Sequence, residues 1–410
     1  MKYLAILLLT FIASFGFAQN NEVPRLKKGR WVAGLQLSEK DVLPFEMEVE
    51  KTENGYQFYV VNGDEMIKMQ APEVKNDSVH LRFPYFNSEL VFVADGKKNL
   101  NGYWQNFNKS NYTIPFEASR SKKNARFSET KKKPESLVQV DGRWEVTFSA
   151  GSESAYPAVG VFNQNEDIVT GTFLTETGDY RFLAGNVTED SLFLSCFDGS
   201  HAFLFKASKN NGELEGTFFS GKHWSTKWMA KPNASFNIQS PEELTYIEGD
   251  STVAFRLSNL DGKSVIFPNS STEGKVVIIQ IMGTWCPNCL DETIYYKKLQ
   301  ERYKDQGLEI ISVCYEYGET FEEHKSNIER LKDKLDLDFT FVVGGSASKS
   351  LASRHFPMLN EVISFPTSIF IGRDGGVKRV HTGFNGPGTG QVYSEYMEET
   401  NALIEFLLAE

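Results

Sequence analysis

The sequence predicts a multidomain chain: two tandem all-β repeats, each a small meander barrel or compact sandwich, followed by an α/β domain with strands running in both directions. Three observations lead there. Between about Arg30 and Met229, short runs such as "YQFYVV", "SVHLRF", "ELVFVA", "DIVTGTF" and "DYRFLAG" are cut by Asn, Gly and Asp, the pattern of strands joined by tight turns. Landmarks recur at a constant offset of about 113 residues: Gly29-Arg30-Trp31 returns as Gly142-Arg143-Trp144, Asp77-Ser78 as Asp190-Ser191, and "NLNGYW" from Asn99 as "ELEGTF" from Glu213, in register for a duplicated unit. Beyond "KPNASFNIQSPEELTYIEGDST", Lys231 to Thr252, strands begin to alternate with helical patterns, the mark of an α/β sheet.

Taken in order, residues 1–18 have a basic start at Lys2, an apolar run from Leu4 to Phe15 and small residues Gly16 and Ala18. That reads as a cleaved signal peptide, shorter than the about 18 to 20 apolar residues of a membrane anchor. Residues 25–120 form the first repeat and 137–236 the second. Each holds about eight candidate strands, enough to close a barrel; one larger sandwich built from both copies is the alternative, since periodicity does not say which edges pair. The Gly-x-Trp opening of each copy resembles the start of lipocalin-like barrels, where the Trp plugs one end; a core Trp beside a turn glycine is the simpler reading. Between the copies, the basic run 121–136 lacks apolar periodicity and reads as a solvated linker.

Residues 252–410 change class. "VAFRL", a turn at Asn259 to Gly262 and "VIF" suggest an entry hairpin, and "KVVIIQIM", Lys275 to Met282, is a strand buried on both faces. A helix should run from Pro287 to Gly307, since Pro is favoured at its first position and Gly just past its last. "LEIISVC" is strand, "TFEEHKSNIERLKDKL" helix, "FTFVV" strand, "SASKSLASRHF" helix, and "TSIFIGRDGGVKRVH" a hairpin turning at Asp374-Gly375-Gly376. "GFNGPGTG", Gly383 to Gly390, lacks phosphate-loop spacing and lysine, so it reads as a flexible link. The last helix, "VYSEYMEETNALIEFLL", places Tyr396, Leu403, Ile404 and Leu407 on one face.

With 40% apolar and 24% charged residues in 410, the chain has the composition of folded domains. Its net charge of -11 repels phosphate backbones and excludes nucleic acid as a partner. Four cysteines are too few for a disulfide scaffold. Cys196 and Cys314 sit in apolar strand-like runs, where thiols act as small hydrophobes. No histidine falls at a paired spacing near the other two, so no metal site is expected.

The chemistry gathers in "MGTWCPNCLDE", Met282 to Glu292. At a strand-to-helix junction, Cys286 meets the positive helix end and free backbone N–H groups, which favour a thiolate. Cys289 lies one turn on, near enough to close a disulfide with it and more shielded. From about Thr252 to Glu410 the chain resembles the thioredoxin-like thiol-disulfide oxidoreductases of the bacterial cell envelope, the TlpA and ResA type. The resemblance rests on "GKVVIIQIMGTWCPNC" and on the strand–helix unit before "SFPTSIFI". It implies a cis-proline at Pro366, within Phe365-Pro366-Thr367, whose backbone pairs with an incoming substrate strand. It also implies an acid beneath the site at Glu292, able to exchange a proton with Cys289; the alternative is an exposed glutamate favoured by the helix dipole. Trp285 would flank the disulfide as a flat contact surface or serve in packing. Two departures stand out: Ile294, where many relatives carry proline, and the bulky Phe365.

The resulting expectation is an exported thiol-disulfide oxidoreductase of the periplasm or cell envelope, acting as a reductase by resemblance. It needs no cofactor beyond a redox-active Cys286–Cys289 disulfide, spans no membrane after signal cleavage, and requires protein disulfide or dithiol substrates and an upstream electron-donor protein. The rival is a scaffold whose β-half binds a ligand or partner, with the redox domain as an accessory.

Overall fold

The computed structural model describes residues 22–121, 126–127, 136–249 and 252–410. The expected signal peptide and most of the basic segment lie outside them.

Strands β1 (Gly29–Gln36) to β9 (Thr113–Arg120) form one antiparallel sheet, and β10 (Gly142–Phe148) to β18 (Trp224–Pro232) a second. The repeated landmarks have matching local geometry. Gly29 and Gly142 both have φ of 100°. The Trp31 indole donates to Lys27 O at 3.0 Å, and that of Trp144 to Val140 O at 2.8 Å, each four residues back. At Gly102 and Gly216 a Cβ would fall 1.9 Å from the carbonyl of Val91 or Lys206 on the adjacent strand, a closeness only glycine permits.

The second sheet closes. β12 (Ile168–Thr175) pairs with β11 (Tyr156–Asn165) on one side and β14 (Leu183–Val187) on the other, leaving only the short β13 (Gly178–Asp179) outside the ring. Its interior is full: Phe148, Phe173, Phe205, Phe218 and Trp228 pack together, with Phe205 stacked on Phe218 at 4.2 Å. A lipocalin-like ligand cavity is therefore replaced by an aromatic core.

The first sheet does not close, which corrects the expectation of two equivalent barrels or sandwiches. β3 (Gly55–Asn62) folds straight back into β4 (Glu65–Lys68), in register from Tyr59–Lys68 to Asn62–Glu65. That hairpin occupies the edge through which β12 reaches β14 in the other copy, so β5 (Glu73–Lys75) stays at the far edge. The barrel covers the gap. Its strand β15 (Ser191–Phe197) turns Cys196 into the barrel core and Phe197 into the half-barrel, against Phe45, Phe83 and Trp104. Asn62 binds the Phe197 backbone twice, at 2.9 and 3.1 Å. Within the basic segment Arg126 is buried, donating to Ser195 O and Ala184 O of the barrel and to Val61 O of the half-barrel. A guanidinium has donors enough to bind carbonyls of both units at once.

A four-residue helix, α1 (Pro241–Leu244), opens the C-terminal unit, and its Glu242 pairs with His381 at 2.9 Å. The sheet of this unit has seven strands. Within it β21 (Val276–Met282) is buried throughout, parallel to β22 (Leu308–Glu316) on one side and antiparallel to β24 (Thr367–Ile371) on the other. Helix α2 (Pro287–Tyr303) ends through a short 3-10 turn at Gly307, whose φ is 100°. Helix α3 (Phe321–Leu335) begins at a capping box of Thr320 and Glu323; α4 (Lys349–His355) comes next, and α5 (Gln391–Ala409) closes the chain. On α5 the buried residues are Tyr396, Thr400, Ile404 and Leu407, with Leu403 half-buried, so the packed stripe is one residue off the expected face. Gly383–Gly390 is not a free link: Phe384 is buried and Gly386 N donates to Asp179 of the barrel. Its glycines permit that close docking.

Phe205→Ala, which removes the stacked centre of the barrel, is expected to cost about 3 to 5 kcal/mol, read as a lower denaturant midpoint for barrel unfolding; an unshifted midpoint contradicts a filled interior.

Candidate active site

β21 delivers the chain to a turn in which Cys286 N donates to Gly283 O at 3.1 Å. A Cβ at Gly283 would strike the Trp285 ring at 2.3 Å and Tyr315 O at 2.7 Å, so glycine is what lets the indole fold back. Trp285 is half-buried, its Nε1 donating to Tyr315 O at 2.9 Å. Cys286 caps α2: its Sγ accepts from Cys289 N at 3.4 Å, and Pro287 fills the first helical position. Both cysteines are free thiols. Cys286 is 8% exposed and its thiol points to Phe365 O at 3.4 Å, whereas Cys289 is fully buried. Burial, then its contact with Cys286, lifts the Cys289 thiol well above the ordinary range.

Glu292 lies beneath the pair. The exposed-glutamate alternative is overturned, since this face of α2 rests on β21 and the side chain is fully buried. One carboxylate oxygen accepts from Gln280 Nε2 at 2.9 Å; the other accepts from the Tyr296 and Ser368 hydroxyls, each at 3.0 Å. Burial outweighs those bonds and pushes its pKa up to about 7.

Across the groove the Phe365–Pro366 bond is cis. The Phe365 ring stacks on Tyr315 at 5.4 Å and meets Trp285 edge-on at 6.1 Å. Pro366 O accepts from Gly383 N at 2.8 Å. Thr367, expected at the contact surface, is fully buried, donates to Ser364 O, and has its backbone between Ile281 and Thr382 on the two neighbouring strands. Its place inside a sheet strand leaves no free side to offer.

A second carboxyl escaped the sequence reading. Glu316 ends β22, fully buried, accepting from Thr284 N at 2.8 Å and Thr284 Oγ1 at 2.6 Å. It braces the turn before Cys286, and burial pushes it up to about 7 against the Thr284 hydrogen bonds and, more weakly, Arg330. Its only signal was an acid just past an apolar strand, at the strand end where α/β sheets build sites.

A redoxin family model matches residues 247–395. The thiol-disulfide oxidoreductase ResA of Halalkalibacterium halodurans is 33% identical over 150 residues, 37% of this chain and 75% of the relative. The chain belongs to the ResA-like thiol-disulfide oxidoreductases. The ResA of Geobacillus thermodenitrificans is 30% identical over 144 residues, 35% of this chain and 73% of that one. Among solved structures, a thiol:disulfide interchange protein of the thioredoxin family from Chlorobium tepidum TLS aligns with a TM-score of 0.30 at 19% identity, over 40% of this chain and 99% of its own. By the redoxin and ResA matches, the C-terminal unit is a thioredoxin-like domain, and the enzyme an oxidoreductase of thioredoxin type. The ResA-like match leaves the two β-units outside the redoxin segment.

Glu292 and Glu316 stand at about 7, against 4.5 for an ordinary glutamate. Each holds a proton more readily folded than unfolded between those values, so their contribution to stability is full below about pH 4.5 and is lost as pH rises through about 7. Glu292→Gln is expected to flatten that decline, measured as urea midpoints between about pH 5 and about pH 8; an unaltered slope contradicts the burial of an ionisable carboxyl there.

Proposed function

We propose that Cys286 and Cys289 are the redox-active pair of an exported oxidoreductase that reduces disulfides in envelope proteins. The observation that carries the reading is the stack of three groups: a helix-capping sulfur near the surface, a buried sulfur one turn below, and a buried carboxyl beneath both.

Cys286, as thiolate, attacks a partner's disulfide; an S–S bond forms to one partner sulfur and the other leaves as thiolate. Cys289 then gives its proton to the Glu292 carboxylate and attacks the Cys286 sulfur, expelling the second partner thiolate. Two electrons pass to the partner, whose thiolates take up two protons. The enzyme retains a Cys286–Cys289 disulfide, which a dithiol donor protein reduces by the same steps in reverse. The sulfurs carry the electrons, so no bound cofactor is required. Glu292 suits the proton step because a carboxyl with pKa near 7 both accepts and returns a proton at neutral pH. Trp285 and Phe365 supply an aromatic wall, and Pro366 the adjoining turn.

Export is supported by the charged, apolar and small-residue pattern of residues 1–18; among the described residues no helix is long and apolar enough to cross a membrane. Reduction rather than oxidation follows from the family resemblance. Against the scaffold reading, the barrel is filled and its loops are bonded to the redox unit beside Cys286.

In the reduced protein at neutral pH, Cys286 should alkylate faster than Cys289, and Cys286→Ala should abolish insulin reduction; equal alkylation rates, or a Cys286→Ala variant that stays active, refute the assignment. Glu292→Gln should slow turnover by about tenfold or more without slowing alkylation of Cys286; unchanged turnover across pH leaves Glu292 without a part in proton transfer.

A further inference from the structure

The barrel meets the redox unit on the face that carries Cys286. Three hydrogen bonds surround the cysteine: Ser200 Oγ donates to Trp285 O at 2.8 Å, Asn288 Nδ2 to Asp179 O at 3.2 Å, and Ser364 Oγ to Thr177 O at 3.2 Å. Trp285 adjoins Cys286, Asn288 lies between the cysteines, and Ser364 precedes the residue whose carbonyl receives the thiol. The backbones are close. A Cβ on Gly178 would fall 2.1 Å from Asn288 Nδ2 and 2.9 Å from Phe384 O, and one on Gly383 would fall 2.7 Å from the Thr177 backbone. The Asp198–His201 turn is itself braced, Asp198 Oδ1 accepting from Ser200 N at 2.8 Å and His201 N at 2.6 Å.

One side chain ties this interface together. The alternating run "DYRFLAG" reads as a single strand, yet the structure breaks it at Arg181, whose φ of 62° is one that non-glycine residues seldom adopt. The break turns the guanidinium inward, where only 4% of it is exposed. It pairs with Asp291 of α2, with Glu65 of the half-barrel at 2.7 Å and with Asp198 of the barrel at 3.6 Å. Its own N–H donates to Asp179, whose other oxygen accepts from Gly386 N. A single cation therefore pairs with carboxylates from all three units; without it Asp291 loses its ion pair, Glu65 keeps only Asn62, and Asp198 keeps only the Ser200 and His201 contacts.

The geometry points to a substrate filter: Arg181 holds the β-barrel as a wall over the redox site, so that Cys286 reacts faster with disulfides carried by small molecules or slender, extended segments than with those on folded protein surfaces. This rests on Cys286 being the nucleophile proposed above. Tyr317, 38% exposed, packs against the Trp285 ring at 4.9 Å.

The test is single-turnover oxidation of the reduced, full-length chain by hydroxyethyl disulfide and by folded insulin, for the wild type, Arg181→Gln, Asp291→Asn and Cys286→Ser. Asp291→Asn leaves Arg181 its pairs with Glu65 and Asp198 and serves where Arg181→Gln fails to fold. Loosening the wall should raise the insulin rate about fivefold or more while the hydroxyethyl disulfide rate stays within about twofold, since only access changes. Unchanged or lower insulin rates, or equal gains with both oxidants, overturn the filter. A wild type inert to hydroxyethyl disulfide, or a Cys286→Ser variant as fast as wild type, overturns the nucleophile assignment instead.

Discussion

Strand β21 of the redox unit, buried on both faces, is the constraint on which the rest of the site depends. Because β21 has no solvent side, every polar group it carries or meets must find a partner inside. Gln280 is such a group: its amide donates to Glu292 and Thr293, and its carbonyl accepts from Ser312. That small network fixes the first turns of α2 over the strand. The fixed turns set the depth of Cys289 and the placing of Cys286 at the helix start. A carboxyl this deep is tolerated because three donors surround it, and it is useful because burial has moved its titration to neutrality.

The redox unit was largely legible in the sequence because its signals are local. An unbroken apolar run can only be a strand covered on both faces, a proline fixes a helix start, and a left-handed glycine marks its end, as Gly307 does. The cysteine pair reads from spacing alone. The features that stayed hidden depend on partners distant in the chain. Glu316 resembles any acid after a strand until Thr284 is seen against it. Thr367 comes after the proline in sequence, but whether its side chain faces a groove or a core is decided by the strands on either side. Arg126 and Arg181 look like ordinary surface charges, and only the backbone carbonyls and carboxylates brought to them by folding show otherwise.

The two β-units differ for a comparably small reason. Their landmark tryptophans and strand-contact glycines have matching local geometry, so the divergence is confined to the chain beyond the third strand of each unit. A four-residue return strand in one and a two-residue return in the other decide which edge is left open and which ring closes. The closed unit is packed with aromatic rings and has its own core. The open one shares a single cluster of buried apolar residues with the redox unit and with Phe197, Ala202 and Leu204 of the barrel.

That shared cluster bears on the order in which the protein is made. The half-barrel is synthesised before the barrel, yet Phe197, which fills its open side, belongs to β15 of that later unit. A growing chain therefore carries an unfinished apolar trough until that strand has emerged, and the redox unit comes later still. Exposed strand edges and apolar surface of this kind are what invite mispairing between neighbouring chains. For this molecule the vulnerable interval is set by chain order.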